Sequence, residues 1–264
     1  MAKNNPPNPD PLPKFRDWFP KKKRGDDDDS SYFHRLTIGA LGGALPFLLL
    51  GIVKFRPFEG GTLGSLSAYY YSGAVATFAG VLFALSVYFF TYQGYKNERK
   101  VWDRATAIIA GLAAIGVAFF PTEAPDKSLK LSWWTEGTGW GHLLSAGILF
   151  LSFAFFALVL FPWSKVKKEK TSKEKPFRNF IYRACGLAIL FFMAWDGYRL
   201  WVAQQSHIQA DVFWQESGAL WAFSLSWLVK AHAEETFLGA LDRGKHYVVH
   251  PVQFLGAVKK TLLE

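Results

Sequence analysis

The chain has a single cysteine, Cys185, among its 264 residues. It can form no internal disulfide and no thiolate metal site, and the apolar run around Cys185 suits an inert packing thiol. Phosphate-cradling glycine loops, dinucleotide-binding glycine motifs and nucleophile elbows are all missing. A membrane metallohydrolase acting on lipids needs several ligands around an activated water. The one close pair, His246 and His250, precedes Pro251 and has no glutamate in the zincin position. No secretory leader is expected, because the first apolar stretch follows a long polar tail and has no small-residue cleavage pattern behind it. Charge of either sign is absent from 217 to 229. The missing catalytic motifs argue against an enzyme, and the uncharged runs argue for a membrane.

Half the residues are hydrophobic and 17% are aromatic, an excess that suits a multi-span protein with interfacial belts. The net charge of +9 raises the question of nucleic acid. The bases sit in runs between long uncharged segments, so no nucleic-acid partner is expected. The pattern predicts an all-α, polytopic membrane helix bundle of six transmembrane helices. The spans fall at about 36–53, 72–92, 105–122, 141–163, 179–202 and 211–230, within a transmembrane domain of 36–230. Residues 1–35 read as a polar tail that cannot fold alone. Its Lys14, Phe15, Arg16, Trp18 and Phe19, followed by bases from Lys21 to Arg24, favour an anionic membrane surface or a partner subunit, and the acids Asp26 to Asp29 oppose the first of these. Residues 231–264 read as a surface-bound tail.

Gly39 and Gly43 have the spacing that lets two helices approach closely. Pro46 is expected to kink the first span. Tyr69, Tyr70 and Tyr71 suit the interface, and Trp133, Trp134 and Trp140 an interfacial flap. Asp211 is a plausible N-cap for the last span, with Glu216 about a turn and a half inside it. An acid at that depth costs roughly a few kcal/mol, so it should face protein or water.

With alternate connectors on alternate sides, one side holds all but five of the 30 Lys and Arg, the exceptions being Lys54, Arg56, Lys127, Lys130 and Arg199. The positive-inside rule makes that side cytoplasmic and places both termini there, in a bacterial inner membrane. The outer side carries Glu59, Glu123, Asp126, Glu136, Asp196, Asp211 and Glu216. Tyr69, Tyr70, Tyr71, Ser72, His142, Ser145, Asp196, Arg199 and Glu216 then share the outer half and form a candidate polar pocket. Such groups can bind a cation, relay protons or recognise a polar solute. They can equally serve the fold, with Asp196 and Arg199 neutralising each other at i, i+3 and Glu216 satisfied by a hydroxyl. His142, with Ser145, Ala146 and Gly147 beside it, also has neighbours small enough for a flat macrocycle, haem or chlorophyll, to use its imidazole as an axial ligand. No metal ion and no firm cofactor is implied beyond that macrocycle or a bound lipid.

The segments YYYS at 69–72, FFPT at 119–122, His142, IYRACG at 181–186 and ESGALWAFSLSWLVK at 216–230 resemble an uncharacterised bacterial multi-pass membrane family with six spans and no assigned activity. The resemblance covers the six-span region only. It implies an Arg–Asp pair shortly after the tyrosines, where this chain has Val75 and Ala76. A scaffold that keeps the fold without those charges suits a structural subunit. The leading expectation is therefore a non-enzymatic accessory or scaffolding subunit of a larger membrane complex, contacting a membrane-protein partner or a second copy, lipids or pigments. The alternative is a cation- or proton-coupled small-solute transporter or membrane sensor using Glu216 and His142, although no inverted repeat is evident.

Overall fold

The computed structural model describes residues 29–55, 63–94, 100–163, 174–206 and 210–231. The aromatic and basic stretch at 14–24, His207, the His246 and His250 pair and the tail from 232 lie outside the described residues. Among the described residues there is no strand, and six α-helices follow one another: α1 (Asp29–Phe55), α2 (Val75–Thr91), α3 (Lys100–Phe119), α4 (Glu136–Phe155), α5 (Glu174–Ser206) and α6 (Phe213–Lys230). A 3-10 helix, Ser67–Tyr71, precedes α2, and a π turn, Phe156–Leu160, prolongs α4.

Four segments are long and apolar enough to cross a membrane: Tyr32–Lys54, Lys100–Phe119, Glu136–Leu160 and Pro176–Ser206. They mark a membrane protein. α2 is apolar but only 17 residues long, a rise of about 26 Å against a hydrocarbon core of about 30 Å. It starts at Val75 rather than Ser72 because Ser72 closes the preceding 3-10 helix. The Ser72 amide and hydroxyl both donate to Tyr69 O, at 3.1 and 2.8 Å, and its Oγ accepts the Ala74 amide at 3.1 Å.

Each helix packs on its successor, and α1 packs on α6, so the six form a closed ring of alternating direction. In a membrane no hydrophobic force draws helices together, and close van der Waals contact takes its place. The α1–α6 seam shows how the sequence supplies it. A methyl at Gly39 would stand 2.9 Å from Leu228 Cγ, one at Gly42 2.7 Å from Phe223 Cε1, and one at Gly43 2.5 Å from Ser224 Oγ. Only glycine allows α6 to lie that near. The approach brings side-chain donors onto the α1 backbone: Ser224 Oγ donates to Gly39 O at 2.6 Å, and Trp221 Nε1 to Gly43 O at 3.3 Å. Trp221 also stacks on Phe47 at 5.2 Å. Pro46, expected to kink the first span, lies inside α1, which runs on through it as one helix.

Aromatic rings cluster where α2, α4 and α6 end. Phe153 and Phe223 stack at 3.6 Å, and Trp227 is edge-on to Tyr92, Phe156 and Phe161. Lys230, read as the polar end of the last span, is instead buried. Its Nζ donates to Phe161 O at 3.1 Å and lies over the rings of Phe161 and Tyr182, so its charge meets the carbonyl end of the α4 and π-turn segment. At the same end Arg104 Nη1 donates to Phe90 O and, at 2.9 Å, to Tyr92 O, capping α2. Gly94 follows with φ +68°, and a Cβ there would lie 2.6 Å from Asp103 Cβ, so the turn needs glycine on both counts. Cys185 is a buried free thiol on α5.

Candidate functional site

The opposite end of the ring carries the polar residues singled out from the sequence. Its local structure starts with α4, whose first turn is fixed by a capping box. Thr135 Oγ1 accepts the Thr138 amide at 3.4 Å, and Thr138 Oγ1 accepts the Thr135 amide at 3.3 Å. That start sets His142 inward, where it is buried. Its Nδ1 is 2.6 Å from Phe120 O and its Nε2 2.9 Å from Ser67 Oγ. A carbonyl can only accept, so Nδ1 carries a proton, and in the neutral ring Nε2 takes its hydrogen bond from the Ser67 hydroxyl. Both ring nitrogens are thereby engaged. An axial bond from His142 to a macrocycle requires Ser67 to leave Nε2.

Glu216 grips the neighbouring residue. Its Oε2 accepts the Leu66 amide at 2.6 Å. It lies in the first turn of α6, nearer the end than expected, because the helix starts at Phe213. Asp211 does not cap that helix: Val212 occupies the cap position without a side-chain bond, and its own amide is drawn to Gly64 O at 2.7 Å. A carboxylate so close to a helix N-terminus sits where the exposed amides favour negative charge. Residues 64 to 67 are thus held by α6 through Val212 and Glu216 and by α4 through His142.

The tyrosines extend this fastening. Tyr71 Oη donates to Thr122 O at 2.6 Å, and Trp134 Nε1 donates to Pro121 O at 3.1 Å. Three consecutive carbonyls just beyond α3, those of Phe120, Pro121 and Thr122, therefore take donors from His142, Trp134 and Tyr71. Burial pushes the Tyr71 hydroxyl up to about 12, with smaller contributions from Tyr70 and Glu123. Tyr69 is fully buried against Phe213 at 5.7 Å, and Tyr70 is edge-on to Tyr71. The flap beyond is ordered in part by Asp126, which accepts the Ser128 amide at 2.7 Å, and by Lys130 over the Trp134 ring at 4.5 Å. Trp133 and Trp140 are exposed.

The structure does not bring all the candidates together. Ser145 Oγ turns back to Gly141 O at 2.7 Å and packs against Gly116. Ser72 serves the 3-10 helix. The expected Asp196–Arg199 pair does not form: Arg199 Nη2 donates to Asp211 O at 3.2 Å, and buried Asp196 Oδ1 has no hydrogen-bond partner among the described residues. Asp196 on α5 and Glu216 on α6 stand at the same end of the ring. Beside both is an open groove of about 290 Å³ lined by Phe191, Phe192, Trp195 and Gln215. Sequence reasoning missed the partners of the named residues, Leu66, Ser67 and the carbonyls at 120–122, because a backbone group leaves no mark in composition. No protein-family model, curated protein or solved structure matches the chain, so what it does has to be argued from its own residues.

Proposed function

We propose that the protein is a non-enzymatic accessory or scaffolding subunit of a larger assembly in a bacterial inner membrane, with all six helices crossing and both termini cytoplasmic. The observation that carries this reading is how the polar residues of the outer end are used. Glu216, His142 and Tyr71 each hold a backbone or hydroxyl group of a connector, at 2.6 to 2.9 Å. Groups whose hydrogen bonds fix the fold make a stiff platform. Exposed rings around the outside, among them Trp102, Trp133, Trp140, Trp163 and Trp214, offer the rigid amphipathic contacts that membrane neighbours use. The orientation draws on the basic residues Arg35, Arg104, Arg178, Arg183 and Lys230, which share one end of the alternating helices.

Extraction from native membranes in a mild detergent tests the assignment. A particle containing a second polypeptide in fixed proportion is expected, and a lone chain under every mild condition would refute it. One observation favours the rival, a cation- or proton-coupled transporter or sensor: Asp196 Oδ1 is buried with no hydrogen-bond partner among the described residues. That rival requires Asp196→Asn to abolish uptake or signalling in a folded protein.

A further inference from the structure

α5 has 33 residues, about 50 Å at 1.5 Å per residue, so it overruns a hydrocarbon core of about 30 Å. Asp196 and Arg199 lie in its outer third, among Trp195, Tyr198 and Trp201, the residue types that gather at the headgroup level. These rings form a ladder with Phe191: Phe191 to Trp195 is 5.9 Å, Trp195 to Tyr198 6.5 Å and Tyr198 to Trp201 6.4 Å. Phe191, Trp195, Tyr198 and Trp201 are all exposed.

Asp196 and Arg199 stand one turn apart, with Cβ atoms about 5–6 Å from each other as for any i, i+3 pair, yet they are not joined. Arg199 is exposed and reaches only to Asp211 O, and Asp196 Oδ1 has no hydrogen-bond partner among the described residues. A separated anion and cation at headgroup depth, above an apolar groove open to the side, match a molecule with an ammonium and a phosphate a short linker apart and hydrocarbon below. We propose that the outer end of the α5–α6 seam binds a zwitterionic phospholipid, its ammonium on Asp196, its phosphate on Arg199 and its chains against Phe191, Phe192 and Trp195. The aromatic faces add cation–π attraction for the same ammonium, and the half-buried Asp196 carboxyl gains a counter-charge. The inference rests on α5 lying in a membrane and not on the scaffold reading, so either can fail alone.

Native mass spectrometry of the full chain in micelles holding equal amounts of phosphatidylethanolamine, phosphatidylcholine and phosphatidylglycerol tests it. The two ammonium lipids should be retained over phosphatidylglycerol on the order of ten-fold, the worth of one charge-assisted contact. Asp196→Asn should abolish that preference, and Arg199→Gln should lower retention of all three. Equal retention by the unaltered chain, or a preference for phosphatidylglycerol, overturns the proposal whether or not the variants fold. A folded Asp196→Asn protein that keeps the preference overturns it too.

Discussion

At the scale of single residues, the end of the ring that carries Glu216, His142 and Tyr71 is a set of side chains answering backbone groups. Glu216 illustrates the logic, because its carboxylate is the acceptor for the Leu66 amide. Glutamine keeps an acceptor oxygen at nearly the same place, whereas alanine leaves the amide unanswered. Glu216→Ala should therefore lose about 1–3 kcal/mol of stability and Glu216→Gln much less, as read from thermal unfolding in detergent. Equal losses would show that the charge, and not the hydrogen bond, matters. Tyr71 gives a pH test. Its hydroxyl is raised from 10.0 to about 12 in the folded chain, chiefly by burial. The folded state thus holds the proton more tightly than the unfolded one, so this contribution is complete below about 10 and is lost as pH rises through about 12. Tyrosinate absorbance should lose one late-titrating hydroxyl in Tyr71→Phe, while Tyr69, also raised by burial, still titrates late. An unchanged late-titrating amplitude in that variant would contradict the assignment to Tyr71.

Elements were legible to the degree that their cause is local. The long apolar runs gave the places of all six helices, and Gly39 with Gly43 marked the seam that α6 occupies. The start of α6 was misplaced because the Val212 amide is claimed by Gly64, far away in sequence, and the Asp196–Arg199 pair was misjudged because Arg199 instead reaches the Asp211 carbonyl, a backbone group that composition does not mark. Lys230 marked only the end of the last span, since nothing beside it in sequence announces Phe161 or Tyr182. At this scale the α1–α6 seam makes the sharpest prediction. Gly39→Val must push Leu228, whose amide is only 3.2 Å from the added Cβ. The backbone cannot yield as a side-chain tip can, so a loss of at least about 1–3 kcal/mol is expected from overpacking. Gly51→Val, which meets open space on the same helix, should be close to neutral in the same unfolding assay. Equal effects at the two positions would contradict the close contact.

For the whole molecule, the two ends of the ring differ in kind. One end is closed by rings set edge-on around Trp227 and by Arg104 and Lys230 on carbonyls, the other by the hydrogen bonds that Glu216, as acceptor, and His142 and Tyr71, as donors, make with connectors. Both ends use charge to finish helices and fix loops, which is the behaviour expected of a rigid platform. A machine that moves a solute would hold a polar group in reserve, a part that the rival reading gives to Asp196 and that the scaffold reading does not give to Glu216. The most direct test is the mass and composition of the particle extracted from membranes that carry only the Glu216→Gln protein. The account predicts the same assembly as the unaltered protein, with the same partner in the same proportion. Loss of the assembly or of its activity while the variant keeps its thermal stability would contradict it, because the carboxylate would then be a working group.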